Sequence, residues 1–224
     1  MDSERLPGKV LHPVRGKPIL EYLLERIDHC KSLDAIVVAT STDPTDDPVA
    51  GFCRERGTDC YRGSLANVAS RFMDVLTHCG FDAFLRISGD SPLLDPQIVD
   101  RGVEIFLQGN FDLVTNVFPR SYPRGQSVEV VRSETYRRAF QEMRDEDELQ
   151  HVTLFFYRNP QEFAIHNFAP DADYSDVHLA VDKIEDMERF ASLVEGMEKS
   201  HWEYSLPEIV AMCRTLQVPR GSRA

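Results

Sequence analysis

Short apolar runs and amphipathic segments alternate along the first half of the chain, and this alternation restricts the fold more than any other feature. Residues 35–40 and 83–87 are runs typical of strands buried on both faces. A loop and a segment with helical spacing of apolar residues follow each run, and the unit recurs about every 25–30 residues. This repeat predicts an α/β fold with a parallel, doubly wound sheet.

The same patterns place the remaining elements. After Pro119 the repeat is lost, and residues 163–168 alternate as a one-sided antiparallel strand does. Residues 179–182 are interpreted as a strand that ends in Asp182. The other predicted strands are 59–62, 113–116 and 128–131, and the predicted helices are 19–33, 49–56, 67–79, 96–107, 134–144, 184–199 and 206–216.

Composition excludes several classes of protein. The chain has 224 residues, 42% of them hydrophobic, which suits one folded domain and not a disordered segment. No apolar run approaches the ~20 residues of a membrane span, and the start lacks a signal-peptide region, so we expect a cytoplasmic protein without a membrane partner. The five cysteines are scattered without CxxC spacing, which indicates neither a disulfide framework nor a zinc site. The formal net charge of −12 argues against nucleic-acid binding.

Three polar clusters are candidates for chemistry. The first holds four cations and two glycines within residues 5–17, which suits an anion site or, equally, a solvated loop. Asp90 follows the strand 83–87, where a carboxylate can hold Mg²⁺; alternatively Asp90 and Asp95 only cap turns and the next helix. Asp182 is either a second carboxylate at that site or the N-cap of the following helix.

These pieces together resemble the cytidylyltransferase family related to spore-coat polysaccharide biosynthesis proteins, kin of the synthetases of CMP-activated sugar acids. The resemblance covers most of the chain. It is carried by residues 3–11, 16–18, 36–43, 62–64, 86–96, 122–125 and 151–153.

The resemblance implies the nucleotide-diphospho-sugar transferase fold, a Rossmann-like mixed, mostly parallel sheet with helices on both faces. It also implies transfer of CMP from CTP to a sugar or sugar acid, with release of pyrophosphate. Residues 1–118 would be the nucleotide-binding half and 119–217 the sugar-binding and dimerisation half of one domain. Residues 218–224 resemble a cleavage scar or a native tail. The strand 163–168 would either form the interface of a homodimer or be an ordinary strand that covers the core.

Roles are carried over position by position. Asp90 and Asp182 match the carboxylates that hold Mg²⁺, and Arg5, Lys9 and Asp90 are the predicted catalytic residues. The predicted nucleotide-binding residues are Arg5, Gly8, Lys9, Lys17, Ser41, Asp43, Ser88 and Gly89, and the predicted sugar-binding residues are Tyr122, Arg124, Gly125 and Glu129.

Two departures from the family pattern leave the activity open. A central strand ordinarily precedes the stretch that begins near Arg5, and it is missing here, so we expect a start that is too late or a truncated gene. Ser127 stands where relatives usually carry Asp. The alternatives are a non-catalytic relative that binds nucleotide or sugar, and a glycosyltransferase of the same fold.

Overall fold

The computed structural model describes Leu6 and residues 8–217. Eight strands and nine α-helices follow one another in this part of the chain. The strands are β1 (Pro13–Val14), β2 (Lys17–Pro18), β3 (Val37–Ser41), β4 (Asp59–Gly63), β5 (Ala83–Arg86), β6 (Leu113–Thr115), β7 (Glu129–Arg132) and β8 (Ile165–Asn167). The helices are α1 (Ile19–Ile27), α2 (Asp47–Arg56), α3 (Val68–Cys79), α4 (Pro96–Gln108), α5 (Ser133–Glu142), α6 (Glu146–Gln150), α7 (Leu154–Arg158), α8 (Ile184–Glu195) and α9 (Leu206–Gln217).

The described strands form three sheets, of which the smallest include the antiparallel pair β1 and β2. β3 and β4 pair in parallel, and a four-stranded sheet has the order β5-β7-β6-β8. In the larger sheet β7 runs antiparallel to both neighbours, while β8 is parallel to β6, so three of the four strands point the same way. Among the described residues no ladder joins one of these three sheets to another. β7 and β8, which follow residue 119, therefore complete a sheet that contains strands of the first half.

Helices cover both faces of the larger sheet. Two neighbouring residues of β6 belong to different hydrophobic clusters. Val114 packs with residues of α1, α4 and α9, and Leu113 packs with residues of α3, α5 and α7. Val130 and Val131 divide in the same way. Because side chains alternate along a strand, burial of both sets requires a layer of helices on each face. The predicted α/β fold with a mixed sheet is confirmed.

Several local predictions were wrong. β8 pairs in parallel with β6 instead of antiparallel, because alternation reports which face is buried and not the strand's direction. Residues 179–181 belong to no sheet, and their N–H groups bond to carbonyl oxygens of Arg124 and Asp90. α1 and α8 end at Ile27 and Glu195, earlier than predicted, and α6 and α7 were missed because each has five residues.

No helix in the described part of the chain is long and apolar enough to cross a membrane. The predictions about Arg5, about a strand ahead of it and about the tail 218–224 lie outside the described residues.

Candidate active site

One lysine links two carboxylates that are far apart in the sequence. Lys9 Nζ lies 2.7 Å from Asp90 Oδ2 and 3.4 Å from Asp182 Oδ1. The side chains are only 13%, 19% and 35% exposed, so the interaction is partly shielded from water. The structure thus brings together Lys9 and the two predicted metal ligands at the carboxyl end of β5, where open α/β sheets bind ligands.

The turn before Lys9 requires glycine. Gly8 has a φ of 72°, in the left-handed region, and precedes a short 3₁₀-helix at Lys9–Leu11. This helix packs beside the loop that follows β5. Its residue Val10 lies 3.6 Å from the point that a Cβ added at Gly89 would occupy. Gly8 therefore starts the turn that delivers the Lys9 ammonium to Asp90.

Asp182 is fixed by backbone contacts on both sides. Val181 N–H donates a hydrogen bond to Asp90 O at 2.9 Å, which holds the segment before Asp182 against the loop after β5. Asp186 Oδ2 accepts bonds from the N–H groups of Asp182 and Lys183, both at 3.1 Å, and so caps α8. The capping role considered for Asp182 belongs to Asp186. The Asp182 carboxylate instead faces Lys9 and His178 Nε2, the latter at 3.4 Å.

Asp95 does serve as a cap. Its Oδ1 accepts from the N–H of Gln97 at 2.9 Å at the start of α4, and its Oδ2 accepts from the N–H of Leu206 at 2.6 Å. Asp90 has no such role in the described residues and contacts Lys9. The capping explanation therefore applies to Asp95, and the metal-site explanation of Asp90 stays a prediction.

The other predicted nucleotide-binding residues are divided. Ser88 and Gly89 lie in the loop that carries Asp90, whereas Lys17 pairs with Glu25 at 2.6 Å. Ser41 has no exposed surface and donates to Asp46 at 2.6 Å, so its side chain packs inside the fold. The Asp43 carboxylate accepts from the N–H and hydroxyl of Thr45, and these hydrogen bonds lower its pKa. Of the predicted set, Gly8, Lys9, Ser88 and Gly89 surround the carboxylates.

The predicted sugar-binding residues are mostly buried. Tyr122 is 3% exposed and its hydroxyl accepts a bond from Arg101, so its side chain packs in the core, and its contact with a sugar stays a prediction. Gly125 packs on the 179–180 backbone, and Arg124 is exposed beside it. Glu129 is 3% exposed, and its contact with a sugar also stays a prediction.

Glu129 has a structural environment that the sequence did not reveal. Its Oε1 accepts from the hydroxyls of Thr153 at 2.7 Å and Tyr157 at 2.6 Å, and its Oε2 lies 3.2 Å from Arg86 NH1. Burial and the nearby carboxylate raise the pKa of Tyr157, which keeps the phenol neutral as a donor. Thr153 belongs to a stretch that carried the resemblance, yet only the fold shows that it contacts Glu129.

The cytidylyltransferase family model matches residues 1–211 of the chain. The chain belongs to the cytidylyltransferase family. This cytidylyltransferase is 30% identical to the spore coat polysaccharide biosynthesis protein SpsF of Bacillus subtilis over 203 residues, which are 87% of this chain and 83% of the relative. It is 35% identical to the 8-amino-3,8-dideoxy-manno-octulosonate cytidylyltransferase of Shewanella amazonensis over 121 residues, 50% of this chain and 47% of that one. A solved cytidylyltransferase from Leptospira borgpetersenii superposes with a TM-score of 0.91 at 28% identity and covers 96% of this chain and 91% of its own.

The donor set of this cytidylyltransferase fits a hard divalent cation. Asp90 and Asp182 offer carboxylate oxygens to one point, which the Lys9 ammonium contacts. Carboxylate oxygens are the ligands that Mg²⁺ prefers, and a cation at this point satisfies the same negative charge. His178, Asp182 and Asp186 also have ligand atoms within 4.8 Å of one another. Asp186, however, is already bonded to two backbone N–H groups and to Arg189.

Proposed function

We propose that the protein transfers CMP from CTP to the hydroxyl group of a sugar or sugar acid and releases pyrophosphate. The observation that carries this proposal is the contact of Lys9 Nζ with both Asp90 and Asp182 at the carboxyl end of β5. Membership of the cytidylyltransferase family supports CTP as the donor. The similarity to the SpsF protein and to a cytidylyltransferase named for an octulosonate supports a sugar acid acceptor used in polysaccharide or glycan synthesis.

In the reaction, the acceptor hydroxyl oxygen bonds to the α-phosphorus of CTP, and the bond between the α-phosphorus and the bridging oxygen breaks. The hydroxyl proton leaves to solvent or to a carboxylate, and the electron pair of the broken bond leaves with pyrophosphate. Negative charge accumulates on the phosphate oxygens in the transition state. Positioning and charge neutralisation are therefore the main tasks of the protein.

Asp90 and Asp182 would hold a divalent cation, Mg²⁺ in our prediction, which when bound neutralises phosphate charge. Lys9 is placed to give a phosphate oxygen a charge-assisted hydrogen bond from the same site. The backbone at Gly8, which has a φ of 72° and no side chain, would allow close approach of the nucleotide. The loop after β5 and the segment before α8 keep the two carboxylates at a fixed separation through the bond from Val181 N–H to Asp90 O.

The test is pyrophosphate release from CTP in the presence of Mg²⁺ and a panel of sugar acids, with wild type and Asp90→Asn. We expect turnover in the wild type and a loss of at least about a hundredfold in the variant. Asp59→Asn is the matched control, because Asp59 is exposed at the amino end of β4, away from the site. The control should retain wild-type turnover.

Binding separates the proposal from its alternatives. Calorimetric titration with CTP, UDP-sugars and CDP-sugars should give heat with CTP. Tighter binding of a nucleotide sugar with no reaction of CTP would indicate a glycosyltransferase. Binding of CTP without turnover for any acceptor would indicate a non-catalytic relative.

A further inference from the structure

The imidazole of His178 approaches the oxygen of Asp182 that Lys9 does not contact. Lys9 Nζ lies beside Asp182 Oδ1, whereas His178 Nε2 lies 3.4 Å from Asp182 Oδ2. His178 Nε2 is buried, and in the described part of the chain it has no hydrogen-bond partner. A buried polar atom without a partner costs free energy unless another group satisfies it. The two oxygens of one carboxylate therefore face different groups, and the imidazole nitrogen lacks a bond.

The separation of these two atoms fits a shared metal ion. Two atoms that bind one divalent transition ion at about 2.0–2.2 Å lie roughly 3.0–3.5 Å apart when the angle between them is octahedral or tetrahedral. The distance from His178 Nε2 to Asp182 Oδ2 is within that range. The two side chains are 31% and 35% exposed, so water can reach them and supply the remaining ligands. The geometry suits two ligands of one ion.

Asp186 contributes charge and rigidity to this pair. Its Oδ2 lies 3.6 Å from His178 Nε2 but already accepts from the N–H groups of Asp182 and Lys183. Its Oδ1 is paired with Arg189. Because both oxygens of Asp186 have partners, the ligand pair consists of the imidazole and Asp182.

The surrounding charge favours a cation. The carboxylates of Asp90, Asp182 and Asp186 have ion pairs with two basic side chains, Lys9 and Arg189. This group therefore retains one negative charge while the imidazole is neutral. A divalent cation bound there interacts favourably with that charge, and part of the interaction is shielded from water.

The backbone fixes both ligands. His178 forms an isolated bridge with Arg124, and the N–H of the next residue donates to Arg124 O at 2.7 Å. Val181 N–H donates to Asp90 O at 2.9 Å, one position before Asp182. The short segment that carries the two ligands is thus held at both ends. A preformed pair of ligands binds a metal without a further cost of ordering.

We infer that His178 Nε2 and Asp182 Oδ2 bind a divalent transition cation of the kind that imidazole suits, such as Zn²⁺ or Co²⁺, in preference to Mg²⁺. Imidazole is a good ligand for these cations, whereas Mg²⁺ takes oxygen ligands and keeps several waters. The inference goes beyond the proposed function, because that reaction uses the cation predicted beside Asp90. The two positions are distinct, and the Asp182 carboxylate lies between them.

The experiment measures binding of Co²⁺ and of Mg²⁺ to the full chain without nucleotide, because the base and phosphates of CTP would add ligands of their own. The measurements are made at about pH 8, since imidazole binds a metal only when it is neutral. Calorimetric titration should show at least about tenfold tighter binding of Co²⁺ than of Mg²⁺. Proton NMR of the Co²⁺ form should show a strongly shifted imidazole N–H signal that disappears in heavy water, which identifies a histidine ligand directly.

His178→Gln replaces the ring nitrogen by an amide oxygen. It should lower the Co²⁺ affinity about 10–100-fold and remove the shifted N–H signal, because the nitrogen ligand is lost. The Mg²⁺ affinity should change less than about threefold, because Mg²⁺ takes oxygen ligands. His78→Gln is the matched control, since it removes an exposed histidine at the end of α3, and it should keep the affinity and the signal. Asp182→Asn should weaken the binding of both cations.

Equal affinity of the wild type for the two cations, or a Co²⁺ form without the shifted N–H signal, would overturn the inference. So would a His178→Gln variant that keeps the signal. The wild-type spectrum decides the question even if a variant does not fold. A protonated His178 that only pairs with Asp182 gives no such signal.

Pyrophosphate release from CTP with Mg²⁺ tests the proposed function separately. If the wild type turns over CTP but its Co²⁺ form lacks the histidine signal, the inference fails and the proposed function stands. If the signal is present and no acceptor supports turnover, the proposed function fails and the metal site stands.

Discussion

Lys9 Nζ donates a hydrogen bond to Asp90 Oδ2 at 2.7 Å although 81 positions separate the two residues. Asp182 Oδ1 lies 3.4 Å from the same ammonium and comes from a third region of the chain. The lysine therefore balances the charge of two carboxylates that would otherwise repel each other.

Replacement of Lys9 by Met should affect both catalysis and the response to metal. We expect pyrophosphate release from CTP to fall at least about a hundredfold, because a charged donor to the phosphates is lost. Mg²⁺ should raise the melting temperature of Lys9→Met more than that of the wild type, because the unbalanced carboxylates gain more from a bound cation. Lys199→Met, which breaks a surface pair with Glu208, is the control and should match the wild type in both measurements. Full activity of Lys9→Met would contradict the role given to this lysine.

Gly125 should tolerate no side chain. It has a φ of 93°, and an added Cβ would lie 2.5 Å from Ala180 N and 2.6 Å from the carbonyl carbon of Leu179. Gly125→Ala should lower the free energy of unfolding by about 2–4 kcal/mol through strain and displacement of the segment before Asp182. Gly57→Ala is the matched control: its φ is 77°, but nothing lies within 4 Å, so the cost should be about 1 kcal/mol. Urea denaturation measures both, and equal losses would show that close packing at Gly125 adds nothing.

Arg26 should be important for stability although it is remote from the chemistry. It is fully buried and donates to the carbonyl oxygens of Leu94, His201 and Tyr204, which ties α1 to the segments before α4 and α9. Burial lowers its pKa to about 10, so it remains charged at neutral pH.

Arg26→Met removes these donors and leaves the carbonyl oxygens without them. We expect a loss of about 3–5 kcal/mol in the free energy of unfolding, measured by urea denaturation. Arg54→Met changes an exposed arginine of α2 and should cost less than about 0.5 kcal/mol. A similar, small effect of both substitutions would refute the structural role of Arg26.

His201 should make stability depend on pH. Burial lowers its pKa from 6.5, against the opposing effect of the Glu25 carboxylate; Arg26 and Lys17 also act on it and lower it further. Below about pH 6.5 the unfolded chain takes up a proton at this histidine that the folded chain resists, so the free energy of unfolding falls as the pH falls.

Urea denaturation at pH 7.5 and pH 5.5 measures this dependence. His201→Gln should reduce the difference between the two pH values, because the titrating group is gone. His78→Gln changes an exposed histidine at the end of α3 and should leave the difference unchanged. An equal difference in wild type and His201→Gln would contradict the prediction.

Much of the secondary structure follows from local pattern. The predicted helix 96–107 and strand 59–62 agree with α4 and β4 to within a residue, because each is long or regular enough for its period to be read. The prediction of a strand at 179–182 was wrong, because an apolar run indicates burial without indicating which groups its N–H groups bond to. The antiparallel direction predicted for the strand within 163–168 was also wrong, because the direction of pairing depends on a partner strand that lies elsewhere in the chain.

The candidate site divides in a similar way. By itself, the sequence determined the family resemblance, the carboxylate after β5 and the cluster of cations and glycines within residues 5–17, because these are local combinations of residues. Only the tertiary structure decided that Asp186 and not Asp182 caps α8, that Tyr122 and Glu129 are buried, and that His178 Nε2 lies beside Asp182. Burial, pairing and net local charge arise from residues that are distant in the chain, so folding alone brings them together.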